Sequence, residues 1–298
     1  MKAKNINEVT SKSPLWGDLG GLKIDSHQHY WHFNTDDYGW MGDNMSVIKR
    51  DFLPADLLPE LQNSGFDGSV AVQARQNLIE TNWLLQLAEE NPQIKGIVGW
   101  LDLQSEQVEN DIRIFAQHPK AVGVRHVIHD EEDIDFMLRP EFIRGVKLLE
   151  KFNLAYDILI FPKHLPNTIR FVQEFSENQI FIVDHIAKPL IKEGIISPWK
   201  EQIIELARFP NLYCKLSGMV TEADWKAWNA ENIRPYLDVI FEAFGTDRVM
   251  IGSDWPVCMV AGKYSEVMNV VTDYISTFCE TEKANILGGN ALKAYRIK

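Results

Sequence analysis

From residue 22 onward the chain alternates between two hydrophobic spacings. Short, nearly continuous apolar runs, such as Val70-Ala71-Val72 and Ile180-Phe181-Ile182-Val183, predict buried strands over 22–26, 69–75, 94–101, 121–127, 154–160, 180–184, 212–216 and 249–253. Between them, apolar residues recur every three or four positions, as in Leu57, Leu58 and Leu61 or Trp83, Leu84, Leu87 and Ala88. That spacing predicts helices over 54–64, 81–91, 106–118, 141–151, 165–178, 198–208 and 234–244, with a terminal helix from Thr281 onward. Parallel strands need crossover connections, so this alternation implies a parallel sheet covered by helices. About eight such units suit an α/β fold of the (β/α)8 TIM-barrel type, a single domain over 21–298 after a polar N-terminal arm over 1–20. A doubly wound open sheet is the alternative, and no glycine-rich phosphate loop follows the first strand to support it.

Composition narrows the partners rather than the fold. The 298 residues are 45% hydrophobic and 24% charged, as expected of a chain with a sizeable core. A formal net charge of -12 speaks against a nucleic-acid backbone or an anionic membrane as partner, since both select basic surfaces. The opening segment has no apolar export signal, and no later stretch is long and apolar enough to span a bilayer, so the expected location is cytoplasmic. Cys214, Cys258 and Cys279 are odd in number and far apart, which fits reduced thiols.

Reactive side chains gather where a barrel would carry its site, at the C-terminal ends of the strands. His27 and His29 are two apart and share a strand face, so both imidazoles can reach one ion. Gln73 and Arg75 end the second run, Arg125 and His126 the fourth, and Tyr156 lies in the fifth. His185 follows the sixth, Lys215 lies in the seventh, and Asp254 follows the eighth. Arg75, Arg125, Lys188 and Lys215 predict a locally positive mouth in an acidic protein, suited to carboxylate or many hydroxyl oxygens. A long connection carrying Tyr30, Trp31, Phe33, Tyr38 and Trp40 offers flat apolar surface to a ligand or to a second copy in a homo-oligomer.

Four segments carry a family resemblance: Asp25-Ser26-His27-Gln28-His29, Val183-Asp184-His185-Ile186-Ala187-Lys188-Pro189, Cys214-Lys215-Leu216-Ser217-Gly218 and Gly252-Ser253-Asp254-Trp255-Pro256. In that order they resemble the amidohydrolase superfamily. More closely, they resemble its sugar-lactonase branch, which includes L-fuconolactonases, L-rhamnonolactonases and 2-pyrone-4,6-dicarboxylate lactonases. The resemblance implies hydrolysis of a small-molecule sugar lactone. Asp254 would be the general base, with His185 and Arg125 also catalytic, and His27, His29 and Asp254 would form a candidate single site for a divalent ion, zinc first. Metal-free hydrolysis is the other possibility. Arg75, Tyr156, Lys188, Lys215, Trp31 and Trp255 are the candidate substrate contacts. The chain departs from the two-metal pattern: no bridging lysine or glutamate ends the fourth strand, and Tyr156 and Asp157 stand where a histidine ligand belongs, with His164 as a partial substitute. A superfamily decarboxylase and a non-catalytic binding barrel are the rival readings.

Overall fold

The computed structural model describes residues 21–298, so the arm expected over 1–20 lies outside the described residues. Eight strands run β1 (Ile24–Gln28), β2 (Gly68–Val72), β3 (Ile94–Gly99), β4 (Ala121–Val127), β5 (Ala155–Leu159), β6 (Phe181–Val183), β7 (Leu212–Leu216) and β8 (Val249–Ile251). Each pairs in parallel with the next, in sequence order. The ends of the sheet meet where Asp254 N donates to the His27 carbonyl at 2.8 Å and His29 N donates to the Trp255 carbonyl at 2.7 Å. This is the expected (β/α)8 barrel. Several strands stop short of their apolar runs, because past the barrel rim the neighbouring strand no longer supplies ladder partners.

The helices are α1 (Pro54–Asn63), α2 (Leu78–Glu90), α3 (Val108–Phe115), α4 (Pro140–Leu149), α5 (Leu165–Val172), α6 (Trp199–Leu206), α7 (Ala230–Phe244) and α8 (Tyr264–Tyr274). The sequence pattern did not predict α8. Its valines at 267, 270 and 271 are poor helix formers, and it is helical because Tyr264, Val267, Met268 and Val271 bury one face against the barrel. The expected terminal helix is broken into α9 (Glu280–Ala284), a π-turn over Asn285–Gly289, and α10 (Asn290–Ala294). Among the described residues no helix is long and apolar enough to cross a membrane.

Two apolar layers position the site. The larger lies between strands and helices. The smaller fills the barrel's lower end with Ile24, Val70, Val98, Ala155, Ile182, Tyr213 and Met250, closed by Tyr295 just after α10. Register between β1 and β2 runs Asp25 to Ser69 and then Gln28 to Ala71, so β1 carries one extra residue. This bulge lets Ile24 and His27, three apart, both face the barrel interior.

Candidate active site

His27 sits at the centre of the barrel's upper end and is completely buried. Its Nε2 lies 3.1 Å from His29 Nε2 and 3.8 Å from Asp254 Oδ1, and His29 Nε2 lies 3.4 Å from the same oxygen. His185 Nε2 approaches that oxygen to 3.9 Å. Four residues from β1 and from the turns after β6 and β8 therefore converge, as the strand-end motifs predicted. Burial, with Lys215 nearby, holds the His27 imidazole well below its ordinary pKa, and burial does the same to His185, so both rings are neutral. Burial pushes the Asp254 carboxyl up, but His185, His29 and Lys188 more than offset it and hold it below the ordinary carboxylate value.

Two donors each held about 2.0–2.1 Å from one zinc at a tetrahedral angle lie roughly 3.3–3.4 Å apart. The spacings among His27, His29 and Asp254 bracket that value, and the donor chemistry is right: two neutral imidazoles and a carboxylate. His29 Nδ1 donates to the Val72 carbonyl at 2.8 Å, which leaves its Nε2 lone pair aimed inward. A second grouping, His27, Asp184 and His185, could also hold an ion by residue type. There, however, the Lys215 ammonium lies 2.9 Å from Asp184 Oδ1 and 3.1 Å from His27 Nδ1 and already supplies the positive charge. His164 joins neither group; its ring turns back to the Phe161 backbone.

His185 reaches the site through an unusual turn. Residues 185 to 188 all have positive φ (54°, 49°, 60° and 50°), as does Asp254 (58°). Left-handed backbone costs a non-glycine residue about 1–2 kcal/mol, more for a branched residue such as Ile186. The turn is held by a hydrogen bond from Trp199 Nε1 to the Ile186 carbonyl at 2.8 Å, and His185 Nδ1 lies 2.9 Å from Ser217 Oγ. Gly218, itself at φ +61°, packs against the ring so closely that a Cβ there would stand 2.5 Å from His185 Nδ1. We expect Gly218→Ala to displace the imidazole and to lower kcat/KM about 10- to 100-fold while the chain still folds. Steady-state kinetics beside a thermal melt checks this, and unchanged kinetics would remove His185 from the working site.

Above these groups opens a cavity of about 600 Å³, lined by His29, Trp31, Arg75, Arg125, His185, Lys188 and Asp254 among others. Seven of the sequence candidates thus line one space. Three do not. Tyr156 is fully buried among Phe142, Phe171 and Phe181, because on β5 it faces the helices while its neighbour Asp157 faces the axis. Trp255 packs edge-on against Tyr30 and Phe52 behind the wall. Lys215 lies beneath His27, bonded to Asp157 Oδ2 at 2.5 Å. His126 also turns away, stacking on Phe136 and meeting Glu131 Oε1 at 2.7 Å.

The locally positive mouth is corrected as well. Arg75 is paired with Asp37, Arg125 with Asp184 at 3.0 Å, and Lys188 with Glu222 at 2.7 Å. Among the described residues each cation on the cavity wall has a carboxylate partner, and the wall also carries Asp36, Asp130 and Asp254. Residue counting found the cations but not their partners, which lie up to 59 positions away. Asp184 stands in the sequence within the Val183–Pro189 motif. It shares a strand face with Ile182, and period-two counting would have placed it inward. His129, missed entirely, lines the cavity with Nδ1 hydrogen-bonded to nothing among the described residues and 3.6 Å from Asp130 Oδ1, its pKa pushed down to about 3 by burial, Lys188 and Arg125.

The family model described as "Amidohydrolase" matches residues 24–297. An L-fucono-1,5-lactonase from Burkholderia multivorans is 37% identical over 290 residues, covering 94% of this chain and 97% of that protein. One from Burkholderia ambifaria is 34% identical over 281 residues, covering 93% and 96%. Among solved structures, an amidohydrolase from Burkholderia multivorans with bound zinc superimposes with a TM-score of 0.90 at 37% identity, covering 93% of this chain and 100% of that one.

Proposed function

The chain belongs to the amidohydrolase family, and on that premise we propose that it opens the ring of an uncharged sugar-derived lactone, an aldonolactone such as L-fuconolactone or L-rhamnonolactone, to the sugar acid. The observation that carries the reading is the charge balance of the cavity. Every cation on its wall is already paired, and with one divalent ion in place the carboxylates of Asp36, Asp37, Asp130, Asp184, Asp254 and Glu222 still outweigh the charge of Arg75, Arg125, Lys188 and the ion. A dicarboxylate or an aromatic acid would bring more negative charge against that wall, whereas a polyhydroxylated ring offers donors and acceptors to Asp36, Asp130, His129 and Gln76 without it. Trp40, about half exposed and backed by the fully buried Trp31, presents an apolar face to the ring carbons. The volume of about 600 Å³ leaves room for a monosaccharide lactone and an attacking water.

In the proposed mechanism Asp254 holds the attacking water. Its Oδ1 faces the imidazoles, and Oδ2 is left to accept the proton as the water oxygen adds to the lactone carbonyl carbon. Charge developing on the carbonyl oxygen meets the Arg125 guanidinium, fixed in place by Asp184 and by its donation to the Gln73 carbonyl. The bond from the carbonyl carbon to the ring oxygen then breaks, and the proton on Asp254 passes to the departing alkoxide. His185, held neutral and oriented by Ser217, steadies the carboxyl group between these transfers. One divalent ion, zinc by the donor set, would be held by His27, His29 and Asp254, and when bound it would polarise the carbonyl and acidify the water.

The net reaction releases a proton, so a pH-indicator assay follows it directly. On a panel of L-fucono-, L-rhamnono-, L-galactono- and D-arabinonolactone beside 2-pyrone-4,6-dicarboxylate and a hydroxybenzoate, we expect turnover of one or more neutral lactones and at least about tenfold less of either acid. Carbon dioxide release from the benzoate without ring opening of any lactone would replace this reading with the decarboxylase.

A further inference from the structure

We propose that Lys215 is a positioning residue that holds His27 in its Nε2–H tautomer, so that taking up a metal ion requires the ring proton to move from Nε2 to Nδ1. The inference rests on the reading of His27, His29 and Asp254 as the metal set.

Lys215 projects from β7 into the barrel and has no exposed surface. It does not line the cavity, so it acts through another residue rather than on substrate. Its Nζ lies 2.5 Å from Asp157 Oδ2, 2.9 Å from Asp184 Oδ1 and 3.1 Å from His27 Nδ1. An ammonium group has three N–H donors and accepts nothing. Three neighbours therefore use its three hydrogens, and the nitrogen of His27 that faces it must present a lone pair. The His27 proton is then on Nε2, which points at His29 Nε2 3.1 Å away. His29 is already oriented to receive it, because its own proton is on Nδ1, donating to the Val72 carbonyl at 2.8 Å. Lys215 to His27 to His29 to Val72 is thus an unbroken donor-to-acceptor sequence. Arg125 Nη1 gives one hydrogen to Asp184 at 3.0 Å and turns its second toward His27 Nε2 at 3.4 Å, a longer contact than the 3.1 Å one between the two imidazoles and the one that opposes this tautomer.

The other tautomer has its own partner. Asp184 Oδ1 lies 3.3 Å from His27 Nδ1 and would accept a proton placed there. The Nε2 lone pairs of His27 and His29 would then face each other at 3.1 Å with Asp254 Oδ1 beside them, an arrangement that repels unless a cation lies between. One tautomer closes the hydrogen bonds without an ion, and the other makes the donor set for one. The exchange moves one proton across the ring, leaves its charge unchanged, and costs Lys215 one of its three hydrogen bonds. Lys215 therefore competes with the metal for the state of His27.

The test uses the whole protein labelled with ¹⁵N-histidine, the His27 signals being those absent from His27→Gln. In chelator-treated wild type, long-range ¹H–¹⁵N correlations should report Nε2–H at His27, and one equivalent of zinc should convert it to Nδ1–H. In Lys215→Met, His27 should already be Nδ1–H without zinc, and calorimetry should show zinc binding about tenfold tighter. Nδ1–H in the chelated wild type, zinc binding that leaves the tautomer unchanged, or no zinc uptake would each overturn the proposal. Should Lys215→Met fail to fold, with Asp157 left buried without its cation, the two wild-type spectra decide alone. No substrate is present in these measurements, so they stand or fall separately from the lactone panel.

Discussion

Asp254→Asn lowers kcat/KM on the best aldonolactone about 10³-fold, within the range by which a positioned general base accelerates proton transfer, and leaves the fold intact. The substitution is close to isosteric. It also suits the backbone, since Asp254 has φ 58° and asparagine is among the few residues that tolerate the left-handed region. Removing the carboxylate takes away the one carboxylate among the described residues that both lines the cavity and meets three imidazoles. The amide cannot take a proton from water, whereas cavity contacts from Trp31, Arg75 and His129 remain. The loss should therefore fall on kcat more than on KM. Indicator kinetics over a range of lactone concentrations, with a melting curve for the variant, measures both. Activity within tenfold of wild type would move the base elsewhere, and the neutral His185 would be the next residue to test.

The second large effect is expected from the metal set. Chelator-treated wild type should lose activity about 10²-fold or more and recover with one equivalent of zinc, because polarising the carbonyl and acidifying the water together lower the barrier by several kcal/mol. His29→Ala should show the same low activity and no recovery, with less than stoichiometric zinc by elemental analysis. His29 is the informative ligand to remove. Its ring reaches the cavity and touches the buried ion cluster only through His27, whereas His27 is part of that cluster and its loss would disturb Lys215 and Asp184 as well. A chelated wild type at full activity, with no zinc in the purified protein, would establish hydrolysis by Asp254, His185 and Arg125 alone.

Both expectations concern residues that the amino-acid pattern had singled out, but for reasons of unequal depth. The strand-end histidines and Asp254 were legible because a parallel barrel places every strand's C-terminus at one rim, so order along the chain translates directly into convergence in space. Tyr156 and Lys215 fall away from the cavity because a run of apolar residues locates a strand without saying which alternate face meets the axis or how far below the rim a residue lies. Tyr156 faces the helices, Asp157 faces the axis, and Lys215 faces the axis but too far down to reach the cavity. Trp255 shows the same limit beyond a strand, where the turn rather than the pleat sets direction.

By itself the sequence determined the eight-fold alternation of strand and helix, the placing of His27 and His29 on one face, and the gathering of His185 and Asp254 with them. These follow from spacing two or three to four residues long, which local geometry converts into a face. Only the tertiary structure decided the rest. The bulge in β1 brought Ile24 and His27 to the same interior, the left-handed turn carried His185 back beside its neighbour Asp184, and closure of the barrel paired Arg125 with Asp184 and Lys215 with Asp157. Those pairings join residues 58 or 59 positions apart, and they fix where each cation stands and how much of its charge a carboxylate already balances. No local pattern carries that information, because it depends on which strands become neighbours across the axis once the sheet has closed.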